Sequence, residues 1–326
     1  MKTFVFAAKE PRIFRFRPGQ FMTFDLPIGA GLSRCYTISA SAARPYRISI
    51  TVKRVPGGAA SNWLHDTLVA GSTLRAFGPM GEFTADAAAP GKLLFLAGGS
   101  GITPLMSMIR TACDLSEPQD VVLVNAARTP KDIIFRNELS LLAAPSPGLR
   151  VRHVCETAGA DDDWTGLTGR LSLPMLALVA PDFRERTVYC CGPAPFMAAA
   201  RDMLAGAGFD MARYFEESFD LSANVPDVPA KPGPDEAGEA TFRVAFLKSG
   251  QTVACPPGLT LLDAAREAGL RLPSSCHRGF CGTCKSRLVS GEVDMVHAGG
   301  IRQREIAQGL ILPCCSRPLS DIELDA

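Results

Sequence analysis

Residues 93–109 read LLFLAGGSGITPLMSMI, and the fold turns on how that run is divided. It is the longest apolar run in the chain, so a membrane span is the first reading to test. Gly98, Gly99, Ser100 and Gly101 interrupt it, which excludes an uninterrupted apolar helix. A buried strand over Leu93–Ala97, a glycine turn and a helix from about Thr103 account for every residue. Pro104 fits a first helical turn, where its missing N–H has no helical partner. A glycine turn between strand and helix leaves free N–H groups, which is the setting a phosphate cradle requires.

Downstream, the same rhythm repeats. Val121–Asn125, Leu149–Val154 and Val188–Cys191 read as further strands, with a helix over Asp132–Leu142 and helical stretches around Met175 and Ala198. Strand–helix alternation of this kind predicts a doubly wound parallel sheet over 88–219. Cys191-Gly192-Pro193 ends a late strand, and Asn125-Ala126-Ala127-Arg128 ends the second one, where open α/β sheets bind ligands. Arg128 either contacts a nucleotide there or caps a solvated loop.

Upstream, residues 1–87 are punctuated by Pro18-Gly19, Pro56-Gly57-Gly58 and Gly78-Pro79. Short strands between such turns predict a small antiparallel β-barrel. YRISITV (46–52) alternates apolar and polar residues, as a half-buried strand should. RCYTIS (34–39) is a second strand-like segment. GGAASN (57–62) stands directly before a short helix containing Trp63 and Leu64, again presenting glycines ahead of a helix start.

Residues 220–240 contain four prolines and no aromatic residue, which predicts an interdomain linker. Residues 241–326 then form a compact tail, read as two strands, a helix over Thr260–Ala268 and a cysteine cluster. The chain has 11 cysteines and a formal net charge of +1, with 47% hydrophobic and 21% charged residues. Nothing global points to nucleic acid or a membrane surface. Lys9, Glu10 and Arg12 follow the short apolar start with no cleavage-like site, so a cytoplasmic protein is expected.

Clustering of five cysteines after residue 275 argues for metal ligation, not a disulfide framework. Cys276-x4-Cys281-x2-Cys284, followed after 29 residues by Cys314, has the spacing of a plant-type [2Fe–2S] site. Gly279 and Gly282 would let the loop fold close to inorganic sulfide, with backbone N–H groups facing sulfur. The competing reading is a structural zinc site in a non-redox binding module. Such sites pair two compact CxxC-like units, and only one is present here.

PSSCHRGFCGTCKSRL (273–288), with LPCCSRP (312–318), resembles the ferredoxin domain of the ferredoxin–NADP reductase-like oxidoreductases. The resemblance extends over essentially the whole chain. It is strongest to reductase components feeding Rieske-type oxygenases that demethylate quaternary ammonium compounds such as glycine betaine or stachydrine. Hybrid-cluster protein reductases are near relatives and supply the alternative function. The resemblance implies a multidomain protein: an antiparallel β-barrel flavin domain (1–87), an α/β doubly wound nucleotide domain (88–219), and a β-grasp ferredoxin domain (241–326). Family members usually carry one more strand before the segment matching 2–7, so the start is expected to be trimmed or the barrel closed differently.

The resemblance also implies roles. Arg34, Cys35, Tyr36 and Thr37 form the flavin motif: Arg34 pairs with flavin phosphate, Tyr36 packs on the ring and Thr37 bonds near its reactive edge. Gly58, Ala60, Ser61 and Asn62 form the pyrophosphate turn of FAD-using members, which favours FAD over FMN. Glu216 and Phe219, in YFEESF (214–219), return to the flavin. Gly99, Gly101, Thr103, Arg128, Cys191, Gly192 and Pro193 hold the pyridine nucleotide, with Cys191 and Thr37 at the point of hydride transfer. No basic pair stands where a 2′-phosphate would sit, which favours NADH over NADPH. Cys276, Cys281, Cys284 and Cys314 ligate the cluster, with Cys314 preferred to Cys315. A monomer serving an oxygenase is expected. Arg278, Lys285 and Arg287 around the cluster loop suggest docking on an acidic patch of that partner.

Overall fold

The computed structural model describes residues 1–29, 32–85, 91–117, 120–159, 163–219, 241–270, 272, 274, 279, 282, 284–297, 300–301 and 303–326. The chain divides into two compact units, Met1–Asp220 and Leu221–Ala326.

The first unit opens with β1 (Lys2–Phe6), β2 (Phe21–Leu26), β3 (Leu32–Thr37), β4 (Ile48–Val52), α1 (Ala59–Thr67) and β5 (Arg75–Met80). All pairings are antiparallel, in a β3–β2–β5 sheet and a β1–β4 pair. A bridge between Ile38 and Ile50 joins the two over one core that includes Phe24, Leu26, Ile50 and Leu64. The expected half-buried β4 is wrong, because all five of its residues are buried. Its polar positions survive burial through hydroxyl pairing. Thr51 Oγ1 lies 3.0 Å from Thr3 Oγ1 and 2.9 Å from Ser39 Oγ, and Ser39 Oγ lies 3.1 Å from Ser49 Oγ.

The unit continues with β6 (Lys92–Gly98), α2 (Ile102–Asp114), β7 (Asp120–Ala127), α3 (Arg136–Ala143), β8 (Leu149–Cys155), β9 (Leu167–Thr168), α4 (Leu173–Val179), β10 (Thr187–Gly192), α5 (Ala194–Gly206) and β11 (Tyr214–Ser218). The sheet is wholly parallel, in the order β11–β10–β6–β7–β8–β9. One face packs Phe95, Leu123 and Tyr189 against α2 and α3. The other packs Leu94, Val122 and Val188 against α4 and α5. The helix expected over Asp132–Leu142 is instead a 3₁₀ turn (Pro130–Asp132) followed by α3. Phe135 separates them, with a left-handed φ of 60° that ends helical propagation.

The segment after β3 is fastened along α2. Ser107 Oγ donates to Ala40 O (2.7 Å), Ala42 N donates to Thr111 Oγ1 (2.9 Å), and Arg44 forks onto Asp114.

The second unit contains β12 (Phe242–Phe246), β13 (Gln251–Cys255), α6 (Leu261–Glu267), β14 (Ser286–Ser290), β15 (Val293–Met295), α7 (Gln303–Ile306), β16 (Leu310–Ile311), β17 (Ser316–Pro318) and β18 (Ile322–Asp325). Its mixed sheet runs β13–β12–β18–β14–β16, with β15–β17 as a separate pair. The tail thus holds seven strands among the described residues where two were expected; several are too short to show a period. Thr260 caps α6, accepting from Asp263 N at 3.1 Å and donating to its carboxylate at 2.8 Å. Leu261, Ala264 and Ala265 of α6 then pack on Val244, Phe246 and Leu324. The linker expected over 220–240 lies outside the described residues. No helix among the described residues is long and apolar enough to cross a membrane.

Candidate functional site

The strand order of the parallel sheet reverses between β6 and β10, the position where open α/β sheets form a ligand crevice. There the Gly99–Gly101 turn after β6 meets the Cys191–Pro193 segment after β10. The approach is so close that only glycine fits. A Cβ on Gly101 would lie 2.1 Å from Cys191 O, and one on Gly192 would lie 2.9 Å from Gly98 Cα. Gly99 has a φ of 52° and open space beside it. Thr103 closes the turn by donating to Ser100 O at 3.1 Å, so its hydroxyl braces the loop.

A cavity of about 790 Å³ opens from this point. Gly98, Gly99, Arg128, Pro193 and Phe135 line it from the sheet side, and Thr3 and Thr51 from the barrel side. It also gathers Lys53, Arg54, Arg128, Lys131 and Arg170 beside Asp132 and Glu156. The fold thus brings five cations together, from the end of the barrel strand β4, the β7 end and the segment after β9.

Register sets what faces Cys191. Across the sheet, Glu217, Cys191, Ala97, Asn125 and His153 are consecutive cross-strand partners, so they share one face. Cys191 is fully buried. Burial pushes its thiol well above the ordinary range, and the Glu217 carboxylate adds to the shift. Asn125 Nδ2 and His153 Nδ1 are buried without a hydrogen-bond partner among the described residues.

Glu216, expected at the flavin, lies on the opposite face. Its carboxylate is held by Arg201 at 2.5 Å and by the Tyr214 hydroxyl at 2.9 Å. Glu217 is the acidic residue that shares the face of Cys191, and sequence reasoning missed it. In FEES the alternation is readable, but the register that aligns Glu217 with Cys191 is not. Phe219, just past β11, is 39% exposed.

In β3, alternation puts Arg34 and Tyr36 on one face and Cys35 and Thr37 on the other. Tyr36 packs on the barrel core beside Phe24, and burial pushes its hydroxyl up to about 12 despite the opposing pull of Arg34. Cys35 Sγ lies 3.3 Å from Thr23 Oγ1. Thr37 is 4% exposed, and its Oγ1 is buried with no hydrogen-bond partner among the described residues. An orphaned hydroxyl at that position fits a partner supplied from outside the chain.

At the second glycine turn, Gly58 caps α1 through its backbone alone. Ser61 Oγ accepts from Val55 N (3.0 Å) and donates to Gly58 O (3.2 Å), and Asn62 Nδ2 donates to Val55 O (3.2 Å). Both side chains therefore shape the loop. What remains to face an anion is the backbone N–H set at the start of α1, next to Ala60.

In the second unit, Cys276 and Cys281 lie outside the described residues. Cys284 and Cys314 are both buried, among Leu262, Ile301 and Leu312. Gly279 N donates to Cys314 Sγ at 3.3 Å, the backbone-to-sulfur contact expected of the loop. Gly279 and Gly282 have φ values of 73° and 68°, and a Cβ on Gly282 would lie 2.6 Å from Gly300 O. Cys315 instead turns its thiol onto Leu312 O at 3.5 Å.

Comparison with known proteins settles the family. Residues 1–85 match the oxidoreductase FAD-binding domain, 95–202 the oxidoreductase NAD-binding domain, and 245–319 the 2Fe-2S iron-sulfur cluster binding domain. The glycine betaine monooxygenase reductase subunit of Pseudomonas aeruginosa is 44% identical over 338 residues, spanning 100% of this chain and 91% of its own. This chain is a member of the ferredoxin–NADP reductase-like family. The stachydrine N-demethylase reductase subunit of Rhizobium meliloti is 43% identical, over 99% of this chain and 92% of its own. Among solved structures, phthalate dioxygenase reductase aligns over 99% of this chain and 92% of its own, with a TM-score of 0.60 and 26% identity. An intact type IV self-sufficient cytochrome P450 monooxygenase aligns with a TM-score of 0.74 and 26% identity; this chain spans 39% of that longer protein.

The reductase is thus an NAD(P)H-dependent oxidoreductase that passes electrons through FAD and a [2Fe–2S] cluster. The 2Fe-2S match displaces the zinc-module alternative. Two of the cations expected in a basic docking patch have local partners. Lys285 is paired with Glu305 at 2.7 Å, both largely shielded, and Arg287 donates to Gln308 O. Arg278 lies outside the described residues.

Proposed function

We propose that this reductase draws electrons from NADH and delivers them to a Rieske-type oxygenase that demethylates a quaternary ammonium compound. The observation carrying this reading is full-length similarity, at 42–44% identity, to reductase subunits of glycine betaine monooxygenase and stachydrine N-demethylase.

In this reading the Gly99–Gly101 backbone takes the nucleotide phosphates and Arg128 their outer charge. Cys191, a neutral buried thiol, would pack behind the glycine turns that receive the nicotinamide. Thr37 would offer its orphaned hydroxyl to the flavin, Arg34 would pair with its phosphate, and Tyr36 would pack on it. FAD, when bound, accepts a hydride as an electron pair and releases the electrons singly, which suits a one-electron cluster. Cys276, Cys281, Cys284 and Cys314 hold that cluster, and Gly279 N–H stabilises charge on the Cys314 sulfur.

Mixing the reductase with the oxygenase subunit of the Pseudomonas aeruginosa system tests the proposal. Glycine betaine should elicit NADH oxidation with formaldehyde released in step. Reduction of ferricyanide by NADH without any oxygenase turnover, on glycine betaine or stachydrine, would reject the client and leave the electron path intact.

A further inference from the structure

Arg110, on α2, ties together three parts of the nucleotide–flavin region that no sequence motif connects. Its side chain is 17% exposed. Nε and Nη2 donate to the two carboxylate oxygens of Glu138 on α3, each at 2.7 Å. Nη1 donates to the carbonyl of Ser39. The face of the guanidinium lies 4.7 Å from the ring centroid of Phe135.

Each contact ends on something that bears on the site. Ser39 follows the flavin motif by two residues and is fully buried, and its hydroxyl joins the chain leading to Thr51 and Thr3 on the cavity wall. Phe135 lines the same cavity and holds a left-handed backbone that is unfavourable for a non-glycine residue. Such a conformation persists only where surrounding contacts determine it. α2 itself begins at the Gly99–Gly101 turn. Only a planar fork offers one edge to a carboxylate, a further N–H to a carbonyl and a face to a ring at once; a lysine ammonium cannot do all three.

We propose that Arg110 is a positioning residue for hydride transfer, setting the spacing between the end of the flavin-binding strand and the Phe135 wall of the nucleotide cavity. The step it serves moves one hydride, a proton with two electrons, from the dihydronicotinamide to the oxidised flavin, leaving the nicotinamide as its cation. The proposal rests on the reading of that cavity as the nucleotide site. A displacement on the ångström scale there costs about 10- to 100-fold in rate, because the reacting atoms must approach within roughly 3.5 Å.

The test uses the full-length protein carrying FAD and cluster, as wild type, Arg110→Met, Arg110→Lys and Glu138→Gln. Four quantities are read: bound FAD, affinity for NAD⁺ by titration, the long-wavelength charge-transfer absorbance on anaerobic mixing with NADH, and the single-turnover rate of flavin reduction. Arg110→Met should keep its FAD and hold NAD⁺ within a few-fold of wild type. Its charge-transfer band should weaken or shift, and its reduction rate should fall about 10- to 100-fold. Arg110→Lys should recover only part of the rate, and Glu138→Gln should move the same readouts less. An unchanged band and rate in Arg110→Met overturn the proposal, as does a rate loss no larger than its loss of FAD. If Arg110→Met does not fold, Glu138→Gln decides on the same readouts. Wild type that neither binds NAD⁺ nor is reduced by NADH would instead refute the nucleotide reading itself.

Discussion

The chain contains two Cys-Cys dipeptides, and the fold turns them to unlike ends. Cys190-Cys191 sits in β10, where a two-residue period sends one side chain to each face of the sheet. Cys191 reaches the face shared with Glu217 and packs with Phe95, Ile102 and Leu105, whereas Cys190 packs with Leu96, Val188 and Leu204 on the other. Cys314-Cys315 sits in a 3₁₀ turn (Pro313–Cys315), where neighbours diverge by about a third of a turn. Cys314 is buried and receives a backbone N–H, while Cys315 is half-exposed and bonded to its own turn. Sulfur chemistry here follows from backbone geometry. A thiol kept neutral in an apolar wall serves as a packing surface, and a thiolate surrounded by N–H donors serves as a metal ligand.

The largest effect should come from the inward member of the second pair. Cys314→Ser should lose nearly all of its iron–sulfur absorbance and iron content, while FAD stays bound and NADH still bleaches it. Full retention of iron would transfer the fourth ligand to Cys315 and reverse the contrast. Cys191→Ala comes next. Removing the sulfur beside the junction of the Gly99–Gly101 turn should slow flavin reduction by NADH roughly 10- to 100-fold with FAD content unchanged, as read by stopped-flow absorbance. A wild-type rate would make Cys191 as inert as its neighbour.

How much of this contrast was readable in the sequence differs between the two pairs. The spacing of Cys276, Cys281, Cys284 and Cys314 singled out the cluster site because one loop supplies three of those sulfurs, and glycines at 279 and 282 are local requirements. The GGSGITP turn was legible for the same reason. Cys191 could be chosen over Cys190 only from the Gly-Pro that follows it. Which acid stands beside it depended on pairing between β10 and β11, so Glu217 was not singled out; Glu216 was expected at the flavin instead. Likewise β4 looked half-exposed because Ser49 and Thr51 are polar, and only the partners Ser39 and Thr3 show how they tolerate burial. The role of Arg110 depends on groups 25 to 71 positions away in the chain, which no local pattern encodes.

Cys190→Ala should act on stability alone, lowering it by about 1–2 kcal/mol at neutral pH and leaving flavin reduction at the wild-type rate. Burial pushes the Cys190 thiol from 9.0 up to about 12, against the pull of its hydrogen bond with Tyr214. Between those values the folded protein holds a proton that the unfolded chain releases, so this thiol's contribution is complete below pH 9 and shrinks as pH rises toward 12. The difference in melting temperature between wild type and Cys190→Ala should therefore narrow above pH 9. A gap constant with pH would place the Cys190 sulfur in a more solvated setting than the closed face of β10.

The smallest effect belongs to Cys315. Its thiol donates to Leu312 O, and a serine hydroxyl placed there has the same donor with a shorter reach. Cys315→Ser should keep its iron and its visible spectrum, and its melting midpoint should correspond to a change of no more than about 0.5 kcal/mol. Because Ser316 Oγ also donates to Leu312 O, at 2.9 Å, that carbonyl stays satisfied when the weaker sulfur donor is replaced. Loss of iron in Cys315→Ser alongside loss in Cys314→Ser would mean that the turn presents both sulfurs to the cluster loop. The divergence imposed by the 3₁₀ geometry would then be insufficient to separate a ligand from its neighbour.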